Sequence, residues 1–149
     1  MRRAVFVDRD GTMIEERGYL NRLDLVTPFP YTAEAIPDAY YFCPHHPEGI
    51  VAAYRVECRC RKPAPGMIEQ AVADLDLDVA RSFVVGDKWL DVGLANQAGA
   101  RGILVRTGYG AGTADAPPPG VDVERVVGTL LDAADYILQA GEPGEPAHP

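Results

Sequence analysis

Cysteine is scarce in this chain: there are three among 149 residues, an odd number, and Cys58 and Cys60 stand two positions apart. That count and spacing exclude a disulfide framework and favour a metal site. Long apolar runs are absent as well. No stretch of 18 apolar residues exists, so no transmembrane helix is available. The apolar stretch near the N-terminus stops at Asp8, too short for the core of a signal peptide, and cytoplasmic residence is expected. Basic residues are outnumbered, with 14 Lys and Arg against 22 Asp and Glu and a net charge of −8. This balance argues against a nucleic-acid binder, whose affinity comes largely from phosphate neutralisation. It leaves room for a small anionic substrate held by a local cluster of bases. The 47% hydrophobic and 24% charged fractions are those of an ordinary globular chain. A single domain over 1–140, a disordered tail over 141–149 and a monomer are expected.

The pattern along the chain is that of alternating strands and helices. AVFVD at 4–8 is a short apolar run ending in a carboxylate, a buried parallel strand followed by a turn at Gly11. Pro28 and Pro30 prevent an ordinary helix over 13–31. A helix is expected to start at 32–36 with Thr32 as its N-cap, only to meet Pro37 at once, and AYYF at 39–42 is expected to be a strand. Residues 43–66 form a long irregular segment of the kind that function or a metal organises. Beyond it the spacing predicts a helix from Met67 to Leu75, a strand over 82–87, a helix over 89–100 ending at Gly99 or Gly102, a strand over 102–108, a loop over 108–120 and a helix over 124–138. This alternation predicts an α/β domain with a parallel sheet, whose ligands lie at the carboxyl ends of the strands. Asp8 and Asp87 both fall there.

Asp8-Arg9-Asp10-Gly11-Thr12 places two carboxylates two residues apart on a tight turn. Alone, this is an acidic turn. With partners it becomes a site: one carboxylate binds a hard cation or attacks an electrophile, and the other handles a proton. Asp87 and Asp91 in GDKWLD supply a second acidic strand end and complete an oxygen-rich Mg²⁺ site. Arg61 and Lys62 in RKPAPG can offset the charge of a transferring phosphoryl group. Cys43, His45, Cys58 and Cys60 form a C-x-H…C-x-C set of three thiolates and one imidazole, which suits tetrahedral, structural Zn²⁺ and pins the loop 43–62 that carries Arg61 and Lys62. His46 fits no ligand position. Two patterns are set aside: Asp74, Asp76 and Asp78 lack the Gly and Glu of a calcium loop, and Gly108-Tyr109-Gly110-Ala111-Gly112 leads into a Pro-rich loop rather than a dinucleotide-binding helix.

In this order the DxDGT loop, the Lys before Pro and the GDxxxD turn resemble the haloacid dehalogenase-like superfamily. FVDRDGT, YFCPHHPEG, CRCRKPAPGM and VVGDK are similar to its heptose-bisphosphate phosphatase and histidinol-phosphatase branch, from residue 4 to about 138. The resemblance implies a Rossmann-like three-layer α/β fold and phosphomonoester hydrolysis of a small phosphorylated sugar, with histidinol phosphate as the alternative substrate. It implies that Asp8 is the nucleophile, Asp10 the acid and base, and Lys62 the group that neutralises the phosphoryl oxygens. Mg²⁺ would sit on the Asp8 and Asp87 carboxylates and the Asp10 backbone carbonyl. Thr12, Arg61, Lys62 and Lys88 are the implied substrate-binding residues. One signature of the superfamily is missing, an apolar strand ending in Ser or Thr and followed by a helix. Only thirty residues separate Thr12 from Cys43, so the resemblance implies that roughly fifty residues, a βα unit and more, are absent near Ile36–Pro37. Such a chain is expected to have an open sheet edge and impaired activity, and a catalytically inactive, zinc-stabilised remnant is the non-enzymatic alternative.

Overall fold

A computed structural model of the protein describes residues 1–18, 20, 22–35 and 37–140. Ile36, where the break in the chain is expected, and the 141–149 tail lie outside the described residues. Four parallel strands form one sheet in sequence order: β1 (Val5–Val7), β2 (Phe83–Gly86), β3 (Arg101–Val105) and β4 (Arg125–Val127). The register pairs Val5 with Phe83, Phe83 with Arg101, and Ile103 with Arg125. Two faces are covered, which gives the three layers expected. On one face α1 (Gly66–Leu75) and α2 (Trp89–Ala98) bury Ile68, Leu94 and Ala95 against Val84. On the other, α4 (Leu130–Gln139) seats Leu130, Ala133 and Ile137 on Phe83, Val85, Ile103 and Val105. Between β3 and β4 lies one short helix, α3 (Gly110–Thr113).

β2 is buried along its whole length because it is central and has a helix layer on each side. α2 ends where Gly99 takes φ +79°, a conformation costly for other residues. α4 begins with a reciprocal cap: the Asp132 N–H donates to Thr129 Oγ1 at 3.3 Å, and the Thr129 N–H donates to Asp132 Oδ2 at 2.8 Å.

Three expectations need correction. The helix expected over 124–138 is a strand, a turn and then a helix. In Arg125-Val126-Val127 the two β-branched valines lie beside the open edge of β3, and the Thr129–Asp132 cap starts the helix only afterwards. Residues 39–42 are not a strand: no neighbouring strand pairs with them among the described residues, and Tyr40 and Phe42 stand about four-fifths exposed. Thr32 caps no α-helix. A 3₁₀ turn runs over Pro30–Glu34 with Phe29 as its cap, and the Thr32 hydroxyl donates to the Met13 carbonyl instead. That bond ties the segment back to the loop after β1.

β1 is the edge of the sheet, pairing only with β2 among the described residues. Its Val5 and Val7 lie beside Phe83 and Val85, so they continue the apolar face that α4 covers on the inner strands. Among the described residues they stay 44% and 37% exposed. The core face therefore runs out uncovered at the strand that carries Asp8.

Candidate active site and metal cluster

The carboxyl ends of β1 and β2 bring the acidic loop and Asp87 together, as parallel strand ends do. Lys62 enters from the loop before α1 and joins the two sides. Its Nζ donates to Asp8 Oδ1 and, at 2.6 Å, to Asp91 Oδ1. Burial opposes the ammonium, but the Asp91 and Asp8 carboxylates outweigh that and raise the Lys62 pKa above its ordinary value. Lys62 thus stays charged between the two carboxylates.

Asp91 has two partners. While Oδ1 takes Lys62, Oδ2 accepts the Lys88 N–H at 3.1 Å and caps α2. Gly86 is required beneath it, since a Cβ there would collide with the Asp91 carboxylate. Asp87 and Asp91, four residues apart, do not share a helical face: Asp87 precedes the Lys88 cap of α2. Their carboxylates converge all the same, and oxygens of Asp8, Asp87 and Asp91 lie within 4.8 Å of one another.

Asp87 is wholly buried. Burial pushes its carboxyl up to about 6, against the lowering effects of the Tyr109 N–H and of Lys88. Its Oδ2 accepts the Tyr109 N–H at 2.8 Å, whereas the buried Oδ1 has no hydrogen-bond partner. A buried, unpartnered carboxylate oxygen facing a second carboxylate is costly unless a cation meets it. The donor set, all oxygen, therefore fits Mg²⁺. The Asp10 carboxylate is not one of the three that converge; it is gripped by Arg9 at 2.7 Å.

The other expected substrate contacts divide. Lys88 Nζ pairs with Glu16 at 3.2 Å and lies 4.5 Å over the Tyr109 ring, beside an open cleft of about 570 Å³ lined by Glu15, Glu16, Gly18, Phe29, Gly108 and Tyr109. Arg61 is exposed and donates to the His45 carbonyl at 3.1 Å, which couples it to the metal loop. Thr12 corrects the expectation. It is wholly buried with its hydroxyl unpartnered, so its side chain packs under the loop and presents no surface to a substrate.

The second cluster assembles as the sequence indicates. The Cys43 and Cys60 sulfurs lie 2.9 Å apart, Cys58 is 3.2 Å from Cys60, and His45 Nδ1 is 3.5 Å from the Cys60 sulfur. All three cysteines are free thiols. Burial favours the neutral Cys58 thiol, but hydrogen bonds from Cys60, Cys43 and His45 prevail and lower it to about 6. The same crowding, first through Cys43, pushes Cys60 up to about 12. Four converging soft donors that compete for protons fit a Zn²⁺ ion. His46 stays outside the cluster, its Nδ1 accepting the Glu48 N–H at 3.1 Å.

Sequence reasoning missed the turn after β3. The glycines of Gly108-Tyr109-Gly110, set aside as a failed nucleotide motif, let this turn close on Asp87. The usable signal was their place at a strand's carboxyl end.

Comparison with known proteins agrees with this geometry. A HAD-hydrolase-like family profile matches residues 59–133. The D-glycero-β-D-manno-heptose-1,7-bisphosphate 7-phosphatase of Haemophilus ducreyi is 32% identical over 184 residues, covering 91% of this chain and 98% of its own. An alignment of that length to 149 residues opens gaps in this chain, so the relative carries residues that this chain lacks. The Yersinia pestis enzyme of the same name is 52% identical over 153 residues, covering 70% of this chain and 81% of its own. The D,D-heptose 1,7-bisphosphate phosphatase of B. bronchiseptica, solved with magnesium and phosphate, has the same fold, with a TM-score of 0.77 and 24% identity over 93% of this chain and 99% of that one. This chain belongs to the haloacid dehalogenase-like hydrolases, in the family of the heptose-1,7-bisphosphate 7-phosphatases.

Proposed function

We propose that the chain hydrolyses a phosphomonoester of a small sugar, the 7-phosphate of D-glycero-D-manno-heptose 1,7-bisphosphate, through an aspartyl-phosphate intermediate. The observation that carries this reading is Lys62 joined at once to Asp8 and Asp91 beside the free buried oxygen of Asp87. A carboxylate facing a phosphate dianion is repelled unless positive charge stands between them. The Asp8 carboxylate attacks phosphorus, the phosphorus–oxygen bond to the sugar breaks, and the departing alkoxide takes a proton from Asp10. A water that gives its proton back to Asp10 then attacks the phosphoryl group, releasing inorganic phosphate and freeing Asp8. Lys62 neutralises phosphoryl oxygens throughout, and Lys88 and Arg61 bind the substrate. Asp8, Asp87 and the Asp10 backbone carbonyl would hold Mg²⁺, which supplies positive charge opposite the phosphoryl oxygens. Zn²⁺ on Cys43, His45, Cys58 and Cys60 is structural. On this reading the enzyme is a cytoplasmic monomer in which 1–140 form one domain and the thiols stay reduced as ligands.

The gaps in the alignment and the open edge of β1 support an absent βα unit between residues 36 and 37. With it goes a hydroxyl donor to a charged phosphoryl oxygen, worth about 1.5–3 kcal/mol, so the rate is reduced. Phosphate release is to be measured on heptose 1,7-bisphosphate and on histidinol phosphate, with Mg²⁺ and with chelator. Mg²⁺-dependent release from the heptose substrate is expected. Preferential release from histidinol phosphate would overturn the substrate assignment, and no release from either would establish an inactive remnant.

A further inference from the structure

We propose that the turn Thr107–Gly108–Tyr109 is a positioning device for Asp87: it fixes which carboxylate oxygen is left for the divalent cation and locks that oxygen in register with the loop of the nucleophile. The inference rests on the reading above, in which a cation sits between Asp8 and Asp87.

Three pieces of backbone meet at this one carboxylate. From the β3 side, the Tyr109 N–H holds Asp87 Oδ2 at 2.8 Å, so Oδ1 alone remains open. From the β1 side, Gly11 (φ +79°) passes so close that a Cβ would run into Asp87 Oδ2. Gly108 (φ +52°) lies between them, and a Cβ there would collide with Asp87 Oδ2 and come within 2.6 Å of the Gly11 Cα. Thr107 closes the circuit by donating its hydroxyl to the Gly11 carbonyl. Only the Gly11 amide nitrogen and Cα separate that carbonyl from the Asp10 carbonyl, the implied backbone ligand. A single tie therefore spans the β3 turn and the DxDG loop while Asp87 is gripped between them. Tyr31 braces the same loop by donating to the Thr12 carbonyl at 3.2 Å. Without the Thr107 tie, the N–H that selects Oδ2 and the carbonyl that faces the cation are free to move independently.

Groups that orient a metal ligand typically change metal affinity by about 10–100-fold when removed. The test is calorimetric titration of the zinc-loaded full chain with Mg²⁺ alone, for the parent, Thr107→Val, Thr107→Ser and Gly108→Ala. Thermal midpoint and zinc content serve as fold controls, and the substrate KM is followed against kcat. Thr107→Val is expected to bind Mg²⁺ about tenfold more weakly, with kcat restored by excess Mg²⁺ and KM unchanged. Thr107→Ser is expected to stay within about twofold of the parent, and Gly108→Ala to weaken binding at least as much as Thr107→Val. If Thr107→Val does not fold, the contrast between Thr107→Ser and Gly108→Ala decides. Variants that fold and bind Mg²⁺ as tightly as the parent overturn the positioning role alone. A parent that takes up no Mg²⁺ overturns the proposed function together with it.

Discussion

At the scale of single residues the site is a set of charges that hold one another in place. Lys62 satisfies Asp8 and Asp91, and Asp91 in turn caps α2, so one buried carboxylate serves both the fold and the chemistry. Gly86 leaves the space that makes this possible. Gly86→Ala pushes a methyl group into the Asp91 carboxylate, and a loss of roughly 1–3 kcal/mol is expected in urea unfolding, together with weaker phosphatase activity. A control for electrostatics lies at the far end of the sheet. Glu124 accepts from Arg101 and from the Tyr136 hydroxyl, and the Arg101 bond above all lowers its pKa below the ordinary value. A lowered carboxyl stabilises the fold above its unfolded pKa and loses that contribution as the pH falls through its folded value. Stability is therefore expected to drop on acidification from just above pH 4.5 downwards, and Glu124→Gln is expected to flatten that limb of the pH–stability curve.

At the scale of elements, periodicity alone locates the strands β1, β2 and β3 and the helices α1 and α2, because each is either flanked by turn residues or striped at helical spacing, but the burial expected of β1 is not met, since Val5 and Val7 stand exposed. It fails where neighbours decide. Arg125-Val126-Val127 continues the apolar stripe of α4 in sequence, and only the open edge of β3 makes it a strand. Tyr40-Tyr41-Phe42 has the composition of a strand but has none to pair with among the described residues. The carboxylates, the lysine and the zinc ligands were legible because their chemistry demands company. The Thr107–Tyr109 turn was not, because its function lies in backbone geometry that glycine spacing does not encode. The loop 43–62 leaves its apolar side chains Ile50, Val51, Tyr54 and Val56 exposed, so on the proposed reading a metal held by the four converging ligands supplies its order. Cys58→Ser or Cys60→Ser is expected to remove about one zinc per chain and to open residues 43–62 to protease, and an unchanged cleavage pattern after chelation would contradict a structural role. β1 is the other exposed element. Val5→Thr together with Val7→Thr is expected to lower binding of a hydrophobic dye and light scattering on warming, since both side chains lie on the uncovered face.

At the scale of the whole molecule, chemistry and enclosure are separated on the proposed reading. Asp8, Asp10 and Asp87 follow strand ends and Lys62 reaches them from the loop before α1, whereas one wall of the sheet and one phosphate donor would be missing. Inserting a strand ending in Thr, with its helix, between residues 36 and 37 is expected to raise the thermal midpoint and the turnover together, because the same unit covers Val5 and Val7 and supplies the hydroxyl. On the proposed reading, a slow turnover on this chain still runs through Asp8. Phosphate release from heptose 1,7-bisphosphate at saturating Mg²⁺, compared among this chain, its Asp8→Asn variant and a full-length relative, tests it most directly. The expected result is a rate at least roughly tenfold below the relative for this chain and background release for a folded Asp8→Asn. Turnover by Asp8→Asn within about tenfold of the parent, or a parent as fast as the full-length relative, would contradict it.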